Sequence, residues 1–243
     1  MKILVTGASS GIGKALSEYL ANRGDIVWGI GLQKEKLEEI KKSLKQKNFK
    51  YNLCNVRQVS EVLKTKAIME KSGFFPDVII LAAGISKDDI NPLDFKRYRE
   101  IFSVNLFGAL NFVDTFLPGF IRRGSGQFIA LSSIAAFRPN KRGVGYPASK
   151  AALSLTFRGL DLKYKEKNIH FSNIYLGPVA TSMWEGGKSF LVEKPENAAR
   201  KIAKVIKTKK NISFIPFLST FLSRVSLLIP DRIYSSLAEK IKR

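Results

Sequence analysis

The sequence predicts an α/β fold in which a doubly wound, seven-stranded parallel sheet carries helices on both faces. Two observations indicate this fold. Seven short apolar runs recur along the 243 residues, and each run is separated from the next by a segment of helical length and periodicity. Nearly continuous apolar strands are typical of a sheet that is buried on both sides. One domain accommodates a chain of this length.

Seven apolar runs are predicted to be the strands. In chain order they are residues 3–5, 26–30, 51–53, 78–82, 127–131, 171–175 and 212–215, which read ILV, IVWGI, YNL, VIILA, QFIAL, FSNIY and ISFI. Each run contains β-branched or aromatic residues and is short, as strands usually are. The intervening segments are long enough for the crossover helices that parallel strands require.

A glycine-rich segment follows the first strand. Residues 6–13 read TGASSGIG and the helical sequence KALSEYLANRG comes next, so the glycines lie where a strand turns into a helix. Glycines permit a tight turn and close approach of the backbone, and a helix N-terminus presents free N–H groups to an anion. The segment therefore predicts a site for a pyrophosphate group.

A second glycine pair, Gly29 and Gly31, has a different context. It lies within or at the end of the second strand, where room for a ribose rather than a phosphate is the expected role. In nucleotide-binding βαβ units an acidic residue at the end of this strand grips the ribose 2′-hydroxyl. Here the chain continues through Leu32, Gln33 and Lys34, so no carboxylate is predicted at that position.

Tyr146 and Lys150 are four residues apart in the segment GYPASKA, downstream of the pair Ser132-Ser133. On a helix this spacing projects both side chains from one face. A nearby ammonium favours the phenolate, so we expect Lys150 to lower the pKa of Tyr146 from its reference of about 10 toward a range useful for proton transfer. By itself the pair is more typical of an ordinary amphipathic helix, and its significance comes from the other motifs.

Five motifs together resemble one family. The segments TGASSGIG, Ala82-Ala83-Gly84, Asn105, Ser133 and YPASK stand in the order and at the spacings of the short-chain dehydrogenase/reductase family, including the 13-residue step to Tyr146. The resemblance covers the chain up to about residue 216. It implies a Rossmann-type NAD(P)-binding catalytic domain over residues 1–216. The periodicity and charge of residues 217–243 predict an amphipathic, basic helical extension of the same domain.

The resemblance implies roles for four residues. Tyr146 would protonate a carbonyl during reduction, or act as the base in the reverse direction. Lys150 would lower the Tyr146 pKa and hydrogen-bond the nicotinamide ribose. Ser133 would hydrogen-bond the substrate oxygen, and Asn105 would hold a water in a proton relay ending at Lys150. Such a set implies an oxidoreductase that transfers hydride between a nicotinamide cofactor and a carbonyl or alcohol.

The resemblance also implies which positions contact the cofactor. Asn55-Val56 stands where the family often has Asp-Val near the adenine, and an amide still hydrogen-bonds an adenine amine. The segment 176–178, Leu-Gly-Pro, departs from the Pro-Gly of the family, although Val179 and Thr181 match residues that face the carboxamide. The complete predicted set is Gly7, Ser9, Ser10, Gly11, Ile12, Gly13, Gln33, Asn55, Val56, Ala82, Ala83, Gly84, Tyr146, Lys150, Gly177, Val179 and Thr181.

NADP(H) is the predicted cofactor, with NAD(H) as the alternative. No acidic residue beside Gly31 repels a 2′-phosphate, and Gln33, Lys34 and Lys36 could contact one. Leu32 stands where NADP-preferring relatives often have an arginine, and this weakens the preference.

Apolar residues near the predicted catalytic groups favour a hydrophobic substrate, such as a lipid, steroid-like or acyl carbonyl or alcohol, over a small charged sugar. The alternative is that several of them pack in the core or against a second subunit. The predicted substrate-binding set is Ser133, Ile134, Phe137, Val144, Met183 and Trp184, with Phe190 as a further candidate.

The chain is strongly basic, with 41 Lys and Arg against 20 Asp and Glu and a net charge of +21. Such a charge is compatible with nucleic acid or an anionic membrane surface. A non-catalytic nucleotide-binding protein, or a basic protein that binds nucleic acid or a membrane surface, is therefore the alternative function on the same fold. No recognised nucleic-acid motif accompanies the charge, so we expect an enzyme with a small-molecule partner and no nucleic acid.

The tail, residues 217–243, has helical periodicity with one broad apolar face and a basic end. That face is predicted to cover the substrate cleft, to meet a second subunit, or to lie on a membrane. By resemblance, a homo-oligomer is expected to form through the helices after Asn105 and Tyr146.

A cytoplasmic location is expected, with peripheral membrane contact through the tail as an open alternative. The only cysteine, Cys54, fits a reducing compartment, and the N-terminus enters the first motif without a signal peptide. No cluster of His, Cys and Asp has metal-ligand spacing, so no metal is expected.

Overall fold

The structure is a computed structural model and describes residues 1–44, 48–86, 94–139, 143–184 and 191–234. The predictions for Phe190 and for the last nine residues of the tail lie outside these ranges. Seven strands pair in parallel in the order β3-β2-β1-β4-β5-β6-β7, which confirms the predicted fold class. They are β1 Lys2–Thr6, β2 Ile26–Gly31, β3 Phe49–Leu53, β4 Val78–Leu81, β5 Gly126–Ser133, β6 Ile169–Leu176 and β7 Ile212–Ile215.

Helices cover both faces of the sheet because successive strand residues point to opposite sides. In β1, Ile3 and Val5 pack with the helices of one face, whereas Leu4 packs with those of the other. The first face carries α1 Gly11–Asn22, α2 Lys34–Ser43 and α7 Pro195–Thr208, and the second carries α3 Val59–Lys71, α5 Gly108–Arg123 and α6 Gly145–Tyr164. The remaining α-helices of the described residues are α4 Phe95–Phe102 and α8 Phe217–Val225.

The second face is rich in phenylalanine. Phe112, Phe116 and Phe120 project from α5 at helical spacing and are almost fully buried, and Phe120 lies 4.8 Å from Phe128 of β5 between ring centroids. Aromatic side chains bury more apolar area than aliphatic ones. This cluster holds α5 against the sheet. It thereby also fixes the N-terminal end of α5, which lies next to the candidate site.

One continuous helical stretch runs over Phe95–Arg123 through α4, a π-helical turn at Ser103–Phe107 and α5. By length and composition it is the one helix among the described residues that is long and apolar enough to cross a membrane. Because 56% of its most apolar window is buried inside the fold, this stretch has the character of a core helix.

The order of the strands reverses around β1, since β2 and β3 follow on one side and β4 to β7 on the other. Ligands of open α/β sheets bind beside such a reversal, at the carboxyl ends of the strands. The predicted motifs follow β1, β4, β5 and β6 directly, so the topology brings them to one edge of the sheet.

Candidate active site

A cavity of about 640 Å³ lies along the carboxyl edge of the sheet. It extends from the glycine-rich turn after β1 to the start of α6, and it is large enough for a small-molecule ligand. Its wall brings together most of the residues that the sequence singles out. These are Gly7, Ser10, Gly11, Ile12, Gly13, Ala82, Ala83, Gly84, Ser133, Ile134, Tyr146, Lys150, Gly177, Val179, Thr181, Met183 and Trp184.

The glycine-rich turn is shaped by close backbone packing. Gly7 has φ +69°, and a Cβ on it would lie 2.8 Å from the backbone of Ala83. A Cβ on Gly13 would overlap the Gly7 carbonyl. α1 begins at Gly11 and has no acidic residue in its first turn. The partial positive charge at its N-terminus therefore faces the cavity and is not neutralised by a carboxylate of the same turn. These features fit an anionic pyrophosphate.

Gly29 and Gly31 of β2 allow close packing of neighbouring side chains. A Cβ on Gly29 would lie 2.7 Å from the Phe49 ring, and a Cβ on Gly31 would lie 3.0 Å from Ser9 Oγ. Protein side chains therefore fill the space that these glycines leave. The expectation that they make room for a ribose is wrong, because close packing of the strand explains them.

Ser133, Tyr146 and Lys150 meet where β5 ends and α6 begins. The Ser133 hydroxyl hydrogen-bonds Tyr146 and accepts from the Ala135 N–H at 3.1 Å. Lys150 Nζ donates to the Leu131 carbonyl at 2.8 Å and lies 5.8 Å from the centroid of the Tyr146 ring. A hydroxyl pair and an ammonium thus converge on one end of the cavity.

The pKa values of this group differ from the sequence expectation. Burial raises the pKa of Tyr146 above its ordinary value of 10.0, and the hydrogen bond from Ser133 opposes that shift. Burial also lowers the pKa of Lys150 to about 8. The predicted lowering of the Tyr146 pKa by Lys150 is therefore wrong for this structure, because desolvation dominates and the ammonium is directed at a backbone carbonyl.

Asn105 lies in the π-helical turn behind the cavity and is 1% exposed. Its Oδ1 accepts from the Ile85 N–H at 2.8 Å, while its Nδ2 donates to the Ile85 carbonyl at 2.9 Å and to Ser149 Oγ at 3.0 Å. Ser149 in turn donates to the Tyr146 carbonyl at 2.8 Å. Asn105 therefore joins the segment after β4 to the first turn of α6. Apart from its place in YPASK, nothing in the sequence singles out Ser149.

Comparison with known proteins decides the family. A family model described as short chain dehydrogenase matches residues 1–192. The chain belongs to the short-chain dehydrogenase family. An uncharacterized oxidoreductase of Staphylococcus saprophyticus is 31% identical over 185 residues, covering 74% of this chain and 79% of the relative. A fatty acyl-CoA reductase of Acinetobacter baylyi is 31% identical over 219 residues, covering 86% of this chain and 74% of the relative.

Solved structures agree on the fold of this short-chain dehydrogenase. A serine dehydrogenase in complex with NADP+ has a TM-score of 0.81 at 20% identity, covering 88% of this chain and 94% of that one. A short-chain dehydrogenase from Streptomyces avermitilis has a TM-score of 0.82 at 22% identity, covering 98% of this chain and 95% of that one. The protein is thus an oxidoreductase whose fold binds a nicotinamide cofactor.

Some predicted positions of the short-chain dehydrogenase lie outside the cavity wall. Ser9 is buried against Gly31, and Gln33 is exposed where α2 begins. Asn55 accepts from the backbone and side chain of Arg57. The others outside the wall are Val56, which packs at Gly108, Phe137, which packs on Tyr175 at 4.5 Å between centroids, and Val144, which is 51% exposed.

Coverage of the cleft was one predicted role of the tail, but sequence reasoning missed the residues through which the tail lines the cavity. Ser223 and Tyr234 line the cavity together with Arg138. The Arg138 guanidinium donates to the carbonyls of Ser226 and Ile229, pairs with Asp231 and lies 4.8 Å from the Tyr234 ring centroid. The side chain of Arg138 is 8% exposed. An arginine just after the predicted catalytic serine was the available signal, but its partners are about 90 residues away.

Arg138→Ala is expected to release the tail from the cavity. The substitution removes several charge-assisted contacts, each of which contributes about 1.5 to 3 kcal/mol. We therefore expect trypsin to cleave after Arg224 and Arg232 at least about tenfold faster, measured by mass spectrometry of timed digests. Arg122→Ala on the exposed end of α5 is the matched control, and equal cleavage of the two variants would contradict the anchoring role.

Proposed function

We propose that this enzyme reduces the carbonyl group of a hydrophobic substrate, or oxidises the corresponding alcohol, with Tyr146 as the acid or base. The observation that carries the proposal is the hydrogen-bonded pair of Ser133 and Tyr146, which faces the same cavity as the glycine-rich turn. A carbonyl oxygen between these hydroxyls would receive two hydrogen bonds while negative charge develops on it.

The nicotinamide cofactor, when bound, supplies or accepts the hydride. The glycine-rich turn and the N-terminus of α1 would hold its pyrophosphate, and Val179 and Thr181 in the segment after β6 would face its carboxamide. Thr181 lies 3.4 Å from the position of a Cβ on Gly11, so the segment after β6 borders the glycine-rich turn and one extended ligand could contact both. The residues that line the cavity therefore fit a nicotinamide cofactor.

Tyr146 carries the transferred proton. Because its pKa is raised by burial, the phenol is protonated at neutral pH, as an acid for carbonyl reduction must be. Ser133 orients the substrate oxygen and stabilises the phenolate that remains after transfer. Lys150 would hydrogen-bond the nicotinamide ribose.

A relay through Asn105 and Lys150 would return a proton to Tyr146. Support comes from Gly84, where a Cβ would lie 3.3 Å from Asn105 Oδ1 and 3.4 Å from Lys150 Nζ. Both polar groups thus border one small space behind the cavity. The Lys150 pKa of about 8 suits a group that exchanges protons near neutral pH.

NADP(H) is the proposed cofactor. The chain after β2 exposes Gln33, Lys34 and Lys36, and Lys34 is only loosely paired with Glu38 at 3.9 Å. A 2′-phosphate placed there would meet positive charge and the N-terminus of α2. Leu32 is 65% exposed and contributes no charge, so the preference rests on the two lysines.

The proposed substrate is a lipid-like or acyl carbonyl compound. Ile134, Met183 and Trp184 give the substrate end of the wall an apolar surface, and Pro139 adds to it. The similarity to a protein named fatty acyl-CoA reductase supports this class. Val144 and Phe137 remain proposed contacts only for a substrate that extends beyond the described wall.

A panel of carbonyl compounds tests the proposed function. We expect NADPH absorbance to fall faster with long-chain aldehydes and bulky apolar ketones than with short ones, because each buried methylene adds about 0.8 kcal/mol of binding. Titration of both nicotinamide cofactors is expected to show tighter binding of NADPH than of NADH.

Polar sugars of similar size are the control substrates for this panel. Turnover restricted to the sugars would contradict the substrate class, and tighter binding of NADH would contradict the cofactor preference. Absence of turnover with every carbonyl and alcohol tested, although both cofactors bind, would favour the non-catalytic nucleotide-binding alternative.

We also propose a homo-oligomer that forms through α5 and α6. Phe107 at the start of α5, Ile121 near its end, and Leu155 and Leu162 on α6 are exposed apolar side chains, and Leu162 is 80% exposed. Burying such side chains against a second copy is favourable.

The cytoplasmic location of the protein also stays a prediction.

A further inference from the structure

The helix α8 packs with its polar side inward. Ser219 and Thr220 are buried, and Ser223 lines the cavity. A helix of a globular protein ordinarily turns its apolar stripe to the core, so this orientation is inverted. The apolar residues of the segment form one outward-facing stripe at helical spacing. They are Phe217, Leu218, Phe221, Leu222, Val225 and Leu228, each at least 45% exposed.

The inverted orientation is held by specific contacts. Gly177 has no side chain, and a Cβ there would overlap Ser219 Oγ, so α8 approaches the end of β6 only through its small polar face. Arg138 anchors the following turn at the carbonyls of Ser226 and Ile229. The Arg224 guanidinium stacks 4.6 Å from the Phe214 ring centroid. The apolar stripe therefore cannot turn inward without breaking these contacts.

The charge of the region favours an anionic surface as the occupant of this stripe. Residues 217–243 contain five Lys and Arg and two Asp and Glu, and Asp231 is already paired with Arg138. Within the described part of the tail, the basic residues are Arg224 and Arg232. A second copy of the chain would bring like charges together, whereas an anionic lipid surface would attract them.

From this geometry we infer that the outward stripe of α8 and the turn after it docks on an anionic lipid surface. An apolar face flanked by basic residues binds at the boundary of headgroups and acyl chains. The inner side of the same segment supplies Ser223 and Tyr234 to the cavity wall, so docking places the cavity beside the membrane. This second step rests on the proposed function, because it delivers a lipid-like substrate to that cavity.

Vesicle flotation of the full-length protein tests the docking. We expect the wild type to float with vesicles containing phosphatidylglycerol and to float less with pure phosphatidylcholine, with the difference shrinking at high salt. The triple variant Phe217→Ser, Phe221→Ser and Leu228→Ser removes three exposed side chains of the stripe. Its partition coefficient is expected to fall at least about tenfold, because most of the inserted apolar area is lost.

Val59→Ser with Leu63→Ser is the matched control, since both side chains are about half exposed on α3, away from the tail. Flotation of the triple variant equal to that of this control would overturn the inference. So would equal flotation of the wild type on both vesicle types. Light scattering completes the test, because a lower mass for the triple variant, with unchanged flotation, would show that the stripe is a contact between copies.

Turnover of a water-soluble aldehyde separates this inference from the proposed function. The triple variant is expected to retain wild-type turnover, because none of its three changes lies in the cavity wall. Loss of flotation with full turnover supports docking by itself. Failure of every variant and the wild type to turn over any carbonyl would overturn the function and leave the flotation result intact.

Discussion

Tyr146→Phe is expected to lower kcat for carbonyl reduction by about 10³-fold, within the range that a positioned general acid contributes. The ring keeps its place between Ser133 and Lys150, and only the hydroxyl that carries the proton is lost. The Kd for NADPH is expected to stay roughly unchanged, because the phenol hydroxyl is one of many contacts along the cavity. Fluorescence titration of the cofactor and steady-state turnover measure the two quantities separately.

Tyr164→Phe is the control for this experiment, since it makes the same substitution at the other end of α6. Its ring packs near Phe171, remote from the cavity wall. We expect full activity from this variant. Substantial turnover by Tyr146→Phe, at more than about a tenth of the wild-type rate, would remove Tyr146 from the role of general acid.

Lys150→Met is expected to stabilise the fold while it inactivates the enzyme. Lys150 is 6% exposed, and burial lowers its pKa from 10.5 to about 8, which means that the folded state resists the charged form. At about 1.36 kcal/mol per pKa unit, this shift corresponds to a cost of about 3 kcal/mol for burying the ammonium, which an apolar side chain of similar shape does not have. The lost hydrogen bond to the Leu131 carbonyl offsets part of this gain, so we expect about 2 kcal/mol in urea unfolding.

The stability gain expected from Lys150→Met depends on pH. Because the folded pKa lies below the unfolded value, the unfolded chain binds more protons between about pH 8 and 10.5. The stability cost of Lys150 is thus full below pH 8 and disappears as the pH rises toward 10.5. The advantage of Lys150→Met is expected to narrow between about pH 7 and about pH 9.5.

Lys163→Met, on the exposed side of α6, should change the free energy of unfolding by less than about 0.5 kcal/mol. A Lys150→Met variant that is less stable than the wild type at neutral pH would show that the ammonium contributes more to the fold than its desolvation costs. Retained turnover would exclude Lys150 from the catalytic group.

The strands were readable from the sequence because a sheet buried on both faces requires continuous apolar runs. The ends of the strands were less so. β5 was predicted to end at residue 131 but continues to Ser133. The strand can include the polar Ser132 because its buried hydroxyl hydrogen-bonds the Lys150 carbonyl and Ser154 Oγ. Those partners lie in a different element, and periodicity within one segment contains no information about them.

The tail shows the same limit more strongly. Its helical spacing was readable, and one predicted role for its apolar face was to cover the substrate cleft. The structure contradicts that role, since the polar face of α8 turns toward the cavity and the apolar face turns outward. Orientation depends on Gly177 and Arg138, both distant in sequence, and a hydrophobic pattern alone assumes that apolar residues point inward.

For the proposed catalytic residues, the identities were predictable from the sequence and the pKa shifts were not. Ser133, Tyr146 and Lys150 converge as the resemblance implies. The direction of the Tyr146 pKa shift depends on the competition between burial and nearby charge, and burial is a property of the assembled fold.

The π-helical turn at Ser103–Phe107 has a consequence for how this chain tolerates insertions and deletions. Each residue of a regular helix advances its neighbour by about 100° around the axis, and a π turn is wider than an α turn. Deleting a single residue here would restore regular winding, but it would also rotate α4 against α5 and swing Asn105 away from Ile85. The spacing of the chain through this turn, and not only the amide at position 105, is therefore part of the site, so a one-residue gap would be more damaging than most substitutions.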